Sequence, residues 1–75
     1  MTPRLPAVTP RQAIRALERC GWALDRVKGS HQVFRHPEHR HRIVVPMHAR
    51  DLAKGTLHQI IEASGVSREE FVRLV

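Results

Sequence analysis

The sequence predicts an α+β domain: one helix, a meander of three antiparallel strands, then two more helices, all packed on one face of the sheet. Three observations carry this. A capping signal at Thr9 opens a stretch of helical periodicity that stops at Gly21. Short runs rich in strand formers follow, divided by turn residues. Helical periodicity then returns in the last third of the chain, broken once at Gly65.

Residues 1–8, with Pro3 and Pro6, predict a loose arm ahead of a single domain over 9–75. Thr9 reads as an N-cap, with Pro10 at the first helical position and Gln12 closing a capping box. Ala13, Ile14, Leu17 and Cys20 form the apolar face. Arg11, Arg15 and Arg19 stand four residues apart on another face, a solvated charged surface that could extend a polyanion track. Trp22 to Val27 is the first strand, and Lys28-Gly29 a turn. His31 to His36 alternates, with His31, Val33 and Arg35 on one face and Gln32 and Phe34 on the other. Residues 36–41 read as a polar hairpin loop punctuated by Pro37, and Arg42 to Val45 as the third strand, ended by Pro46. Leu57, Ile60, Ile61 and Ser64 share a helical face. Ser67 and Glu70 open a last short helix that turns Phe71 and Leu74 inward.

The chain has 75 residues and a net charge of +6, from 13 basic and 7 acidic side chains. All the basic residues but Lys28 and Lys54 are arginine. A domain this small buries only about 60% of its unfolded surface, so its fold is marginal. The charge favours a polyanionic partner, and arginine favours phosphate, whose geometry guanidinium matches. No apolar run approaches a membrane span of about 20 residues, and residues 1–8 lack the apolar region of a secretory leader. Cys20 is the only cysteine, which fits a reducing cytoplasm. On the apolar side of a helix it reads as a small buried residue, not a nucleophile.

His36, His39 and His41, with His48 and His58, suggest a metal site at first glance. Zinc sites in small folds usually mix Cys with His at fixed spacings, so a solvated loop is the better reading and no metal or cofactor is expected. Only Trp22, Phe34 and Phe71 are aromatic, and all fall at core positions, which leaves no base-stacking platform. There is no Walker-type loop and no His-Glu-x-x-His helix. Gly29-Ser30-His31 carries more information. Gly29 permits a turn conformation closed to other residues, Ser30 adds a hydroxyl, and His31 enters a strand on the open face. Arg26, Lys28 and Arg35 surround it with positive charge. An imidazole among cations suits RNA cleavage, because RNA supplies its own nucleophile, the 2′-hydroxyl.

Gly21-Trp22, Gly29-Ser30-His31-x-x-Phe34, Val45-Pro46-x-His48 and Lys54-Gly55-Thr56-Leu57-x-x-Ile60-Ile61 occur in this order over nearly the whole chain. The combination resembles the HicA family of mRNA interferase toxins. The resemblance implies a double-stranded-RNA-binding-like α-β-β-β-α fold, here with a short extra C-terminal helix. It implies a type II toxin that cleaves mRNA in the cytoplasm and is neutralised by a HicB-type antitoxin. It places the functional histidine at His31 with Gly29 and Ser30 shaping the site, and offers His48 as a secondary candidate. Lys28, Arg26 and Arg35 are then the expected phosphate ligands. A non-catalytic RNA-binding module and an acidic-protein-binding domain are the rival readings. Both explain the charge, and both leave Gly29-Ser30-His31 unused.

Overall fold

A computed structural model describes residues 5–48 and 50–75; residues 1–4 of the expected N-terminal arm lie outside them. The elements are α1 (Pro10–Arg19), β1 (Ala23–Lys28), β2 (His31–His36), β3 (His39–Pro46), α2 (Lys54–Ser64) and α3 (Arg68–Leu74). The strands form one antiparallel sheet in the order β1-β2-β3. This is the α+β, double-stranded-RNA-binding-like order expected from the sequence, with the additional C-terminal helix.

The capping box of α1 forms in full. Thr9 Oγ1 accepts the Gln12 N–H at 3.2 Å, and Gln12 Oε1 accepts the Thr9 N–H at 2.9 Å. Such a cap contributes about 1 kcal/mol. At α3 only the Ser67 half forms, its hydroxyl accepting the Glu70 N–H. The core joins Phe34, Ile43 and Val45 of the sheet to Ala13, Ala16 and Leu17 of α1, Leu57, Ile60 and Ile61 of α2, and Phe71 of α3. Residues 5–8, read as a loose arm, are tied down: Leu5 packs on the core, Val8 is buried, and the Val8 carbonyl accepts the Leu52 N–H at 2.8 Å.

The helices pack chiefly against β3, with Phe34 of β2 in the shared core, and leave β1 overhanging. Every residue of β1 is exposed, including Leu24 and Val27. A bulge at Asp25 interrupts the β1–β2 register, so Leu24 pairs with Phe34 and Arg26 with Val33. Bulges of this kind twist an edge strand and blunt its pairing with other chains. Val33, opposite Arg26 and Val44 in the register, is buried yet stands outside the main core.

Two strands differ from the sequence reading: the first is Ala23–Lys28, one residue later at both ends, so that Lys28 is strand and the turn is Gly29-Ser30, and β3 is His39–Pro46, beginning three residues before Arg42 and including Pro46. The early start of β3 traces to one cluster of side chains. Trp22 is buried, and its indole N–H donates to the Ser64 carbonyl at 3.3 Å. His39 stacks on it at 5.2 Å and 9°, and His36 and His41 lie tilted beside it at 5.1 and 5.5 Å. His36 Nε2 donates to the Cys20 carbonyl at 3.1 Å while its Nδ1 accepts the Glu38 N–H at 3.0 Å. His41 Nε2 donates to the Ala63 carbonyl at 2.8 Å. Residues 36–41, read as a solvated loop, are thus a tight Pro37-Glu38 turn flanked by paired strand residues, and their imidazoles cap the C-terminal carbonyls of α1 and α2.

The cluster also dictates Gly21. Its φ is +93°, and a Cβ there would come within 2.9 Å of His36 Nε2. Left-handed backbone costs a non-glycine residue roughly 1–2 kcal/mol before any clash. Gly29 has φ +59° but open space around it. Urea denaturation of Gly21→Ala and Gly29→Ala separates strain from contact: the first should lose clearly more stability than the second. Equal losses would mean that His36 moves aside without cost.

Candidate active site

The site lies at the opposite end of the sheet from the Trp22 cluster. Gly29 and Ser30 form the two-residue turn between β1 and β2, with Lys28 paired to His31 across it. Positive φ at Gly29 but not at Ser30 is the pattern of a II′ hairpin turn, whose twist matches that of the strands. Glycine is required at the first position. The Ser30 carbonyl then accepts the Met47 N–H at 2.7 Å. That bond ties the chain leaving β3 to the turn and brings His48 back toward β2. The His31 and His48 rings meet edge to face, their centroids 6.1 Å apart. Both side chains are exposed.

The expected cations divide into two groups. Lys28 pairs in register with His31, and Arg26 with Val33, both on the open face. Neither has a carboxylate within 4 Å among the described residues. Arg35 is held differently: its Nε lies 3.8 Å from Asp25, which also accepts from Arg42 Nε at 3.3 Å. Arg35, an expected phosphate ligand, is thus partnered by Asp25. Strict alternation points Asp25 away from Arg35; the bulge at Asp25 turns it onto the same face. Asp25 therefore draws Arg35 and Arg42 toward β1, away from the His31–His48 end.

Gly29, Ser30, His31, Lys28 and His48 come together at one end of the sheet, and Arg26 lies two register steps further in. His58 does not join them; it lies on α2 against Glu62 at 3.3 Å. Among the described residues no group of three or more His, Cys, Asp or Glu is arranged to hold a metal ion. Cys20, at the end of α1, is partly buried. Burial first, and the Glu70 carboxylate second, push its thiol above the ordinary value. At pH 8 its alkylation by iodoacetamide should therefore be slower than that of free cysteine. Reaction at the free rate would contradict this placement. Replacing Asp25 by Asn frees two guanidinium groups. The variant should elute from heparin at higher salt than the parent, since each added phosphate contact steepens the salt dependence.

No helix among the described residues is long and apolar enough to cross a membrane. Comparison with curated proteins finds no match. The family model for the HicA toxin of bacterial toxin–antitoxin systems matches residues 10–66. That span takes in α1, the whole sheet with its Gly29-Ser30-His31 turn and His48, and α2 through its Gly65 cap. The chain belongs to the HicA toxin family of bacterial toxin–antitoxin systems.

Proposed function

We propose that the protein is a toxin that acts as an endoribonuclease on mRNA in the cytoplasm, and that a HicB-type antitoxin neutralises it by covering the basic face around His31. The observation that carries this reading is the juxtaposition of two exposed imidazoles, His31 and His48, at the cationic end of the sheet. Cleavage of RNA by its own 2′-hydroxyl needs a base, an acid and positive charge, and requires no metal. One imidazole removes the 2′-OH proton as that oxygen attacks phosphorus. The other gives a proton to the departing 5′-oxygen. The products are a 2′,3′-cyclic phosphate and a 5′-hydroxyl end. In this scheme His31 is the principal acid–base group and His48 its partner. Lys28 and Arg26 stabilise the charge that builds on the phosphorane; Arg35, held at Asp25, adds only to the positive charge of the same face. Gly29 and Ser30 set the position of His31, and the Ser30–Met47 bond sets that of His48.

The test is cleavage of a defined RNA with detection of new 5′-hydroxyl ends. General acid–base catalysis contributes about 10²–10⁴-fold, so His31→Ala should lower cleavage by that order and abolish growth arrest. His48→Ala should lower the rate less. Both residues are exposed, so neither change should alter the melting temperature. EDTA should leave cleavage unchanged. Full cleavage by His31→Ala would overturn the catalytic assignment. RNA binding without new 5′-hydroxyl ends would leave the non-catalytic binding module as the better reading.

A further inference from the structure

The strongest unassigned feature is a cationic groove along α1. One cleft of about 360 Å³ is lined by Arg11, Ile14, Arg15, Glu18, Gln32 and Met47. A second, of about 340 Å³, adjoins it through Arg11 and Met47 and adds Thr9, Pro10 and Arg50. Both are in the size range of clefts that take small ligands. Arg11, Arg15 and Arg50 have no carboxylate within 4 Å among the described residues. Glu18 is the one acid in the lining, at the end farther along α1. The third arginine of the same helix, Arg19, is diverted: it donates to the Leu74 carbonyl at 3.2 Å beside α3.

The groove reaches the His31–His48 end. Gln32 and Met47 in its wall are the chain neighbours of His31 and His48, and Met47 is the residue anchored to Ser30. A strand lying across the histidine pair passes over the end of the sheet at Met47 and into the groove. Arg11 and Arg15, one helical turn apart, place their Cβ atoms about 6 Å from each other. That matches the repeat of phosphates along an extended single strand. Ile14 and Met47 supply an apolar floor for a sugar or base.

We propose that Arg11, Arg15 and Arg50 form a second phosphate-binding subsite that holds the RNA strand flanking the cleaved phosphodiester. The inference rests on the proposed ribonuclease activity and adds a length requirement to it. Substrates long enough to reach the groove bind and react better than a dinucleotide that occupies only the histidine pair.

The experiment uses the full chain and an Arg11→Gln/Arg15→Gln variant. Binding to a 2′-O-methyl oligouridine of twelve residues, which lacks the free 2′-OH, is measured against salt concentration. The variant should bind at least tenfold more weakly at low salt, and its log–log salt slope should fall by about 1.4, at roughly 0.7 per phosphate contact. On a long RNA its KM should rise with little change in kcat, and its cleavage of a dinucleotide should equal that of the parent. Unchanged affinity and slope in a parent that cleaves RNA would overturn the subsite and leave the catalytic reading intact. A parent that cleaves nothing, while the variant still loses oligonucleotide binding, would overturn the catalytic reading and keep the subsite. Loss of antitoxin binding with RNA binding unchanged would assign the groove to the protein partner and overturn the proposal.

Discussion

Trp22 is the residue on which the arrangement depends. It follows Gly21 at the end of α1, stands at the start of β1, and bonds the last turn of α2 through Ser64. Three imidazoles from β2 and β3 pack around it, and two of them bond the carbonyls of Cys20 and Ala63. Carbonyls in the last turn of a helix lack intrahelical partners and are satisfied by other donors. Here the sheet supplies those donors, so the ends of both helices are fixed to the same end of the same sheet. A chain of this size has a core that rarely supplies more than about 3–5 kcal/mol. A cluster that both satisfies polar groups and buries an indole is therefore a large share of what holds the fold.

That attachment sets the polarity of the molecule. With the C-termini of α1 and α2 at the Trp22 end, their N-termini point toward the His31–His48 end, where Thr9 and Pro10 line the groove beside Met47 and Arg50. Helix N-termini carry the equivalent of about half a positive charge. Neither α1 nor α2 has an acidic residue in its first turn to offset it. The histidines divide the same way. His36, His39 and His41 are structural at one end of the sheet, and His31 and His48 are exposed at the other.

Much of this was legible in the sequence. Helical and strand periodicities are local, and so are the Thr9 cap and the turn signal at Gly29, and these are enough for the element order and the face that His31 occupies; the turn itself falls one residue later than Lys28-Gly29, at Gly29-Ser30. The misread parts depend on contacts distant in sequence. His39, Arg40 and His41 have the composition of a loop; they are strand because Trp22, some twenty residues earlier, receives their rings. Asp25 has no local signal of its bulge, so its hold on Arg35 and Arg42 was invisible. Val8 belongs to a proline-containing segment, and it is buried in the core it shares with Leu52, whose N–H its carbonyl accepts. His31 pairs with Pro46 across β2 and β3, and the bond between Ser30 and Met47, seventeen positions apart, continues that pairing so that His48 lies near His31.

The distribution of charge partners bears on function more directly than the total of +6 does. Arg35 and Arg42 share Asp25, Arg73 faces Glu70, and Arg19 is taken up by the Leu74 carbonyl. Arg40, Lys54 and Arg68 carry no ion pair among the described residues, and neither do Arg11, Arg15, Arg26, Lys28 and Arg50. The last five flank the His31–His48 end or its adjoining groove. Exposed ion pairs stabilise a fold little, so neutralising these five would add almost nothing to stability. Leaving them unpaired keeps a positive field where an anion would bind. A polyanion whose backbone spans both the turn and the groove uses all five at once, whereas a small anion could use only one or two.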